Sequence, residues 1–122
     1  MTTSQVQTIK NINPEVSALL IPGTALPSAA PATPQYTAQK TTTIEWIELF
    51  NTDGVQHTVT VHAIPAGGVA GVATHVFDQV LAAAEHAPIA SNEVILTGYT
   101  LQLTADLAGK VRASVSGKVM TT

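Results

Sequence analysis

The 122-residue chain contains no cysteine, which excludes disulfide bridges, thiol catalysis and thiolate metal sites together. Charged side chains make up only 11% of the residues, less than half the share found in a typical soluble domain. Aromatic residues make up 4%, so we expect a core built mainly of Val, Leu, Ile and Ala. A surface with so few ions is poorly protected against association, which favours a protein that works against neighbours.

Long apolar runs are also missing. The apolar stretch at residues 18–21 is too short for a signal peptide and far too short for a membrane helix. We therefore expect no membrane partner and synthesis in the cytoplasm. The five basic residues are scattered and the formal net charge is −3, so the basic stripe of a nucleic-acid binder is absent and no nucleic-acid partner is expected.

Proline divides the chain into two zones. Five prolines fall within residues 1–35, where they disfavour helix and central strand. We predict an extended N-terminal arm at residues 1–35 and a folded domain at residues 36–122. The arm is either a solvated tail with a few apolar residues or a segment that docks on a neighbouring subunit. Exposed apolar clusters are a liability on a tail, so we favour docking, with these interaction residues: Val16, Leu19, Leu20, Ile21 and Leu26.

The second zone has the period of β-strands. Residues 57–64 alternate most clearly, with Val59 and Val61 on one side. Residues 41–50 alternate with a slip at Trp46 and Ile47, which indicates a bulge or a strand buried on both faces. The sequence Asn-Thr-Asp-Gly at residues 51–54 predicts a hairpin between these two strands.

Further strands are expected at residues 91–96, 99–104 and 110–120. Residues 74–85 fit either a strand or two helical turns; we favour a strand, followed by a loop through residues 86–88. About six to eight short strands predict an all-β antiparallel sandwich of jelly-roll type. The predicted core anchors are Trp46, Phe50, Val59, Val61, Leu101 and Leu103.

No catalytic or metal-binding motif emerges. His57 and His62 are five residues apart and should point to opposite faces of a strand, so we expect the histidines at solvent-facing positions. Glu45 and Glu48 have opposite parity and should diverge. The glycine-rich residues 67–71 lack the lysine of a phosphate-binding loop. We expect no enzyme activity, no cofactor and no metal.

Several short patterns resemble small β-sandwich proteins encoded among the structural genes of tailed phages. They are the Thr-rich strand entry that follows Tyr36 and Thr37, the Thr-Val-Thr-Val strand, Ile-Pro-Ala-Gly-Gly at residues 64–68, and Val-Arg-Ala-Ser-Val-Ser-Gly at residues 111–117. The resemblance covers about two-thirds of the chain. Leu-Thr-Ala-Asp-Leu at residues 103–107 departs from it, because a Gly-Asp turn would be expected there.

The resemblance implies a structural protein located in the virion, with no catalytic residue to transfer. A capsid decoration (cement) protein is the first expectation, binding the major capsid protein or other virion proteins as a homotrimer or dimer. The alternative is a neck, tail, baseplate or fibre module for attachment or carbohydrate binding. Because the few aromatics are predicted to face the core, the sequence offers few platforms for sugar stacking.

Overall fold

The computed structural model describes residues 15–28, 35–71 and 74–120. These residues form ten β-strands and no α-helix. The strands are β1 (Val16–Ala18), β2 (Thr24–Ala25), β3 (Tyr36–Thr37), β4 (Thr42–Asn51), β5 (His57–Ile64), β6 (His75–Leu81), β7 (His86–Ala90), β8 (Val94–Ile95), β9 (Thr100–Ala105) and β10 (Val111–Val119).

The strands form two antiparallel sheets that pack as a sandwich. In sheet A, β10 pairs with β1 and β2 on one side and with β4 on the other, and β4 pairs in turn with β7 and β8. Sheet B has the order β3-β9-β5-β6. The chain alternates between the sheets except along β1–β2, β5–β6 and β7–β8, which gives a jelly roll. The predicted all-β sandwich is confirmed; the strand count is higher because four strands have only two or three residues.

Two of the predicted connections are wrong. β4 and β5 do not form a hairpin, because β4 belongs to sheet A and β5 to sheet B. The turn between them crosses the sandwich, and the buried Asn51 side chain fixes it by donating to the carbonyl oxygens of Val55 at 2.8 Å and Ala82 at 3.0 Å. The predicted loop at residues 86–88 is instead part of β7. This strand tolerates Pro88 because it lies at the edge of sheet A. Residues 75–81 are a strand, as favoured.

The core lies between the inner faces of the two sheets. Val59 and Val61 of β5 and Leu101 and Leu103 of β9 are at most 1% exposed, so four of the predicted core anchors are confirmed. β10 contributes every second side chain, at residues 111, 113 and 115. Burying one such aliphatic side chain stabilises the fold by about 1.5–3 kcal/mol.

The stretch from residue 15 to residue 28 belongs to the sandwich rather than to a separate arm. β1 and β2 both pair with β10, and the Leu26 amide donates to the Val111 carbonyl at 2.9 Å. Leu19, Leu20 and Leu26 are buried in the common core. The predicted arm is therefore wrong for this stretch; residues 1–14 and 29–34 of it lie outside the described residues.

A β-bulge in β4 decides which side chains of that strand enter the core. Trp46 pairs with Ser116 and Ile44 with Gly117, so Glu45 has no partner on β10. Before the bulge the even-numbered residues face inward, and after it Ile47, Leu49 and Asn51 do. Gly117 is required here, because a Cβ would overlap the carbonyl oxygen of Thr43 and lie 2.9 Å from Leu19 Cδ1.

The prediction that Trp46 and Phe50 are core anchors is wrong, and the bulge explains why. Trp46 and Phe50 are each 47% exposed and lie on the outer face of sheet A. Their side chains share a phase with Glu48, which is exposed as well. Burying the two aromatics would have buried that carboxylate between them, at a large desolvation cost.

Candidate functional site

The outer face of sheet A carries the half-exposed aromatic side chains. The strand register places its side chains in rows across the sheet: Ala90, Trp46, Ser116 and Ala18 in one row, Pro88, Glu48 and Ser114 in the next, and His86, Phe50, Arg112 and Ala25 in the third. Along β4, aromatic rings therefore alternate with the Glu48 carboxylate, whereas β10 contributes only polar side chains to these rows.

Two adjacent cavities form a groove along these rows. One measures about 340 Å³ and lies against Phe50, His86 and Arg112; the other measures about 270 Å³ and lies against Trp46 and Ser116. Glu48 and Ser114 line both cavities and join them. The larger volume is within the usual range for ligand pockets.

The connection between β1 and β2 forms one wall of the groove. Pro22 and Gly23 of this connection line the cavities. The Gly23 amide donates to Ser114 Oγ at 3.0 Å, and Arg112 Nη1 donates to the Gly23 carbonyl at 3.0 Å. Gly23 has a φ of +75°, a conformation that glycine adopts without strain. These two hydrogen bonds hold the β1–β2 connection against β10.

The charged groups of the face are balanced. Glu48 Oε2 lies 3.9 Å from His86 Nε2, and the His86 ring lies 6.2 Å from the Phe50 ring. Arg112 supplies a positive charge on the other side of Phe50. Glu45 pairs with Lys118 at 3.4 Å. The expectation that Glu45 and Glu48 diverge across the sheet is wrong, because the bulge places both on the outer side.

The predicted interaction residues divide into two groups. Val16 and Ile21 are 50% and 80% exposed, so they are available for contact. Leu19, Leu20 and Leu26 are buried inside the chain's own core and cannot dock on a neighbour without unfolding part of sheet A. The correction follows from the pairing of β1 and β2 with β10.

His57 forms a second polar site at one end of the sandwich. Its Nε2 contacts Asp53 Oδ2 at 2.8 Å and its Nδ1 contacts Asp106 Oδ1 at 2.7 Å. The His57 side chain is 6% exposed, so the prediction that it faces solvent is wrong. We call this three-residue arrangement the His57 clamp; it joins the β4–β5 turn to the β9–β10 turn.

Hydrogen bonding sets the ionisation of the clamp. The bond to Asp53 raises the pKa of His57 despite the opposing effect of burial, and Asp106 adds to the rise. The same bond, together with the Gly54 amide, lowers the pKa of Asp53. Two ionised carboxylates can only accept hydrogen bonds, so both ring nitrogens must donate and His57 is an imidazolium when both are charged.

His62 and His75 lie together on β5 and β6. Their rings are 5.8 Å apart; His62 Nδ1 contacts Thr74 Oγ1 at 3.0 Å and His75 Nε2 contacts Asp78 Oδ1 at 3.1 Å. The contact with His75, followed by the bond from Thr60, lowers the pKa of Asp78. His57 faces the core and His62 does not, as their spacing predicted. Among the described residues, no group of three or more His, Cys, Asp or Glu side chains is arranged to hold a metal ion.

Sequence reasoning missed the groove, although one signal was present. Glu48 stands midway between Trp46 and Phe50 on the same strand face, so the three side chains must share one environment. A charged residue in that position indicates the outer face. The groove wall had no such signal, because the pairing of residues 16–25 with β10 depends on contacts distant in sequence.

Comparisons with known proteins add little. No protein-family model matches the sequence, and no curated protein matches it. A solved structure described as infectious bursal disease virus Gx strain aligns with 13% identity and a TM-score of 0.37. The alignment covers 90% of this chain and 32% of that chain, so the chain spans about a third of that structure's length. A likeness of this size supports no inference about function. The described residues include no apolar helix of membrane-spanning length.

Proposed function

We propose that this chain is a non-enzymatic structural protein of a virion, and more narrowly a capsid decoration protein that binds the major capsid protein. The observation that carries the proposal is the exposure of aliphatic side chains at both ends of a weakly charged sandwich. Val55 and Leu107 are 58% and 48% exposed in the two turns joined by the His57 clamp. Val69 and Leu96 are 82% and 52% exposed in connections at the opposite end.

This distribution suits a subunit that contacts several neighbours. Each aliphatic group gains by leaving water. The His57 clamp holds the turns that carry Val55 and Leu107, so less conformational entropy is lost when these residues dock. A homotrimer or dimer, as proposed here, would multiply such contacts over a repeating shell.

The histidine geometry supports a role without catalysis. Both ring nitrogens of His57 are occupied by carboxylates, so the ring has no free nitrogen with which to act as a base. Thr74, the hydroxyl beside His62, also donates to and accepts from the backbone of Gly71. Within the described residues, the hydrogen bond of His62 Nδ1 is to the Thr74 hydroxyl, not to a carboxylate of the kind that orients the histidine of a nucleophilic triad.

Copy number tests the proposal directly. Quantitative mass spectrometry of purified virions from the source should find hundreds of copies, close to the number of major capsid subunits. Complete absence from the particle would refute a virion role.

Shell binding by purified protein supplies a second test. Val55→Ser with Leu107→Ser should lower the occupancy of decoration-free shells, because these residues supply the docking contact at one end. Val94→Ser is the matched control, since Val94 is 51% exposed and lies on β8 beside Thr43, at the opposite end of β4 from the β4–β5 turn. Equal occupancy for all variants would exclude the clamp end as a docking surface.

The exposed aromatics favour one second candidate, a neck, tail, baseplate or fibre module for attachment. The sequence argued against sugar binding because Trp46 and Phe50 were expected in the core, and the structure removes that objection. A count between a handful and a few dozen copies per virion would favour this candidate over decoration.

A further inference from the structure

We propose that the groove on the outer face of sheet A binds a neutral oligosaccharide, with Trp46 and Phe50 as stacking platforms and Glu48, Arg112 and Ser114 as hydrogen-bonding groups. The inference rests on the proposed non-enzymatic binding role and deepens its attachment candidate by naming the ligand class and the site. It does not depend on the protein's position in a particle.

The aromatic spacing fits an extended ligand. Trp46 and Phe50 lie on one face of β4 four residues apart, which corresponds to about 13 Å along a strand. This distance exceeds the size of a single sugar ring, so one monosaccharide cannot reach both. The C–H groups on the face of a pyranose carry small positive charges and pack well against the negative face of an aromatic ring.

The polar groups between the rings match hydroxyl groups. The Glu48 side chain is 52% exposed and accepts hydrogen bonds. Arg112 uses Nη1 to bind the Gly23 carbonyl, and its fork has further N–H groups to donate. Ser114 can both donate and accept. A sugar hydroxyl also does both, so it can bond to each of these groups without bringing a charge.

Charge balance favours a neutral ligand. Glu48 and Arg112 offset each other within the groove, and Glu45 is already paired with Lys118 at 3.4 Å. An acidic glycan would meet Glu48, and a basic ligand would meet Arg112. A ligand with hydroxyl groups and no net charge avoids both conflicts.

A protein partner fits this groove less well. The centres of protein interfaces are depleted in charged residues, whereas Glu48 occupies the middle of this groove. A docked protein would remove water from that carboxylate, whose ion-pair partner His86 lies 3.9 Å away. The groove also lies on a sheet face rather than along a strand edge, which is where an added peptide strand would pair.

The site is already organised for binding. Ser114 and Arg112 both form hydrogen bonds with Gly23, and these bonds hold the β1–β2 connection against β10. The two cavities share the lining residues Glu48 and Ser114. A groove that is formed before the ligand arrives reduces the ordering cost of binding.

Calorimetry and fluorescence on the purified full chain test the inference. The probes are β-1,4-linked glucose, α-1,4-linked glucose and β-1,4-linked N-acetylglucosamine, each from monosaccharide to hexasaccharide, after a screen on a printed array of microbial glycans. We expect saturable binding to at least one glycan, with affinity that rises from the monosaccharide to the trisaccharide. Trp46 is the only tryptophan, so its emission should change on binding.

Variants locate the binding site. Trp46→Ala and Phe50→Ala should each weaken binding by about tenfold or more, because each removes a stacking platform. Trp46→Phe should retain more affinity than Trp46→Ala. Val80→Ala is the control, because Val80 is 51% exposed but lies on β6 of sheet B, outside the groove; the glycan affinity of this variant should not change. Circular dichroism verifies that each variant is folded.

The inference would be overturned if no glycan on the array binds, or if glycan binding is insensitive to both aromatic substitutions. It would also be overturned if no glycan binds and Trp46→Ala instead disrupts association of the protein with a virion or with a second copy of the chain. The last result would identify a protein-docking face. Copy number in virions is measured separately, so failure of glycan binding leaves the proposed virion role to its own test.

Discussion

Leu26 tests whether residues 15–28 are part of the sandwich or an independent arm. Its side chain is 1% exposed within the common core, and its backbone bonds to Val111 and Gly109. Leu26→Ala removes buried methyl groups and leaves a cavity between β2 and the rest of the core. Substitutions of this kind cost about 2–5 kcal/mol, so we expect a loss of about 3 kcal/mol and a Tm lower by about 10 °C.

Ile21→Ala is the matched control for this prediction. Ile21 lies five residues earlier in the same segment and is 80% exposed, so its truncation should change stability by less than about 0.5 kcal/mol. Urea unfolding followed by circular dichroism is the appropriate assay. Trp46 is a poor probe of folding, because it is 47% exposed in the native state.

Equal stabilities of Leu26→Ala and the unmodified protein would refute the reasoning. That result would mean that residues 15–28 contribute no folding energy, and the original division into an arm and a domain would stand. A loss of stability in Leu26→Ala but not in Ile21→Ala would establish that the fold begins before residue 26.

Three further predictions concern the bulge, the His57 clamp and the turns. Gly117→Ala should destabilise the protein by about 1–3 kcal/mol by overpacking, whereas Gly54→Ala, with open space around its Cβ position, should be nearly neutral; equal urea midpoints would contradict this. The raised pKa of His57 gives a contribution to stability that is complete below about pH 6.5 and is lost as pH rises through that raised pKa. His57→Gln should therefore reduce the fall of Tm with rising pH. If the fall of Tm is unchanged in the variant, the clamp is not its cause. The lowered pKa of Asp53 gives a contribution to stability that is complete above about pH 3.8 and is lost as pH falls through that lowered pKa. Asp53→Asn should therefore reduce the fall of Tm with decreasing pH. An identical fall of Tm in the variant would exclude Asp53 as its source.

The alternation of polar and apolar residues predicted those strands that have one apolar and one polar face. In β5 and β10 a polar residue separates each pair of inward aliphatic residues, so one phase places nearly all apolar groups inside. The bounds of β5 were predicted without error for this reason. The same rule found β9, where Leu101 and Leu103 are buried.

β4 shows where periodicity stops being sufficient. Its residues fit two phases, one with Trp46 inside and one with Ile47 and Leu49 inside, and the bulge at Glu45 allows both phases within one strand. The position of such a bulge depends on Gly117 of β10 and on Leu19 above it, which are remote in sequence. Turn chemistry had a similar limit: residues 51–54 predicted a reversal, but the sheet that receives the next strand is decided by packing.

The segment from residue 15 to residue 28 also determines how deletion experiments must be designed. Removing residues 1–35 would take away three core leucines and the Pro22–Gly23 wall of the groove, so any loss of binding could result from unfolding. Removing only residues 1–14 leaves β1, β2 and their pairing with β10 in place. We expect this shorter deletion to keep the Tm within about 2 °C, since every core residue in the described part of the chain is retained. If it also weakens binding to decoration-free shells, the docking role belongs to residues 1–14; unchanged binding would assign docking to the sandwich alone.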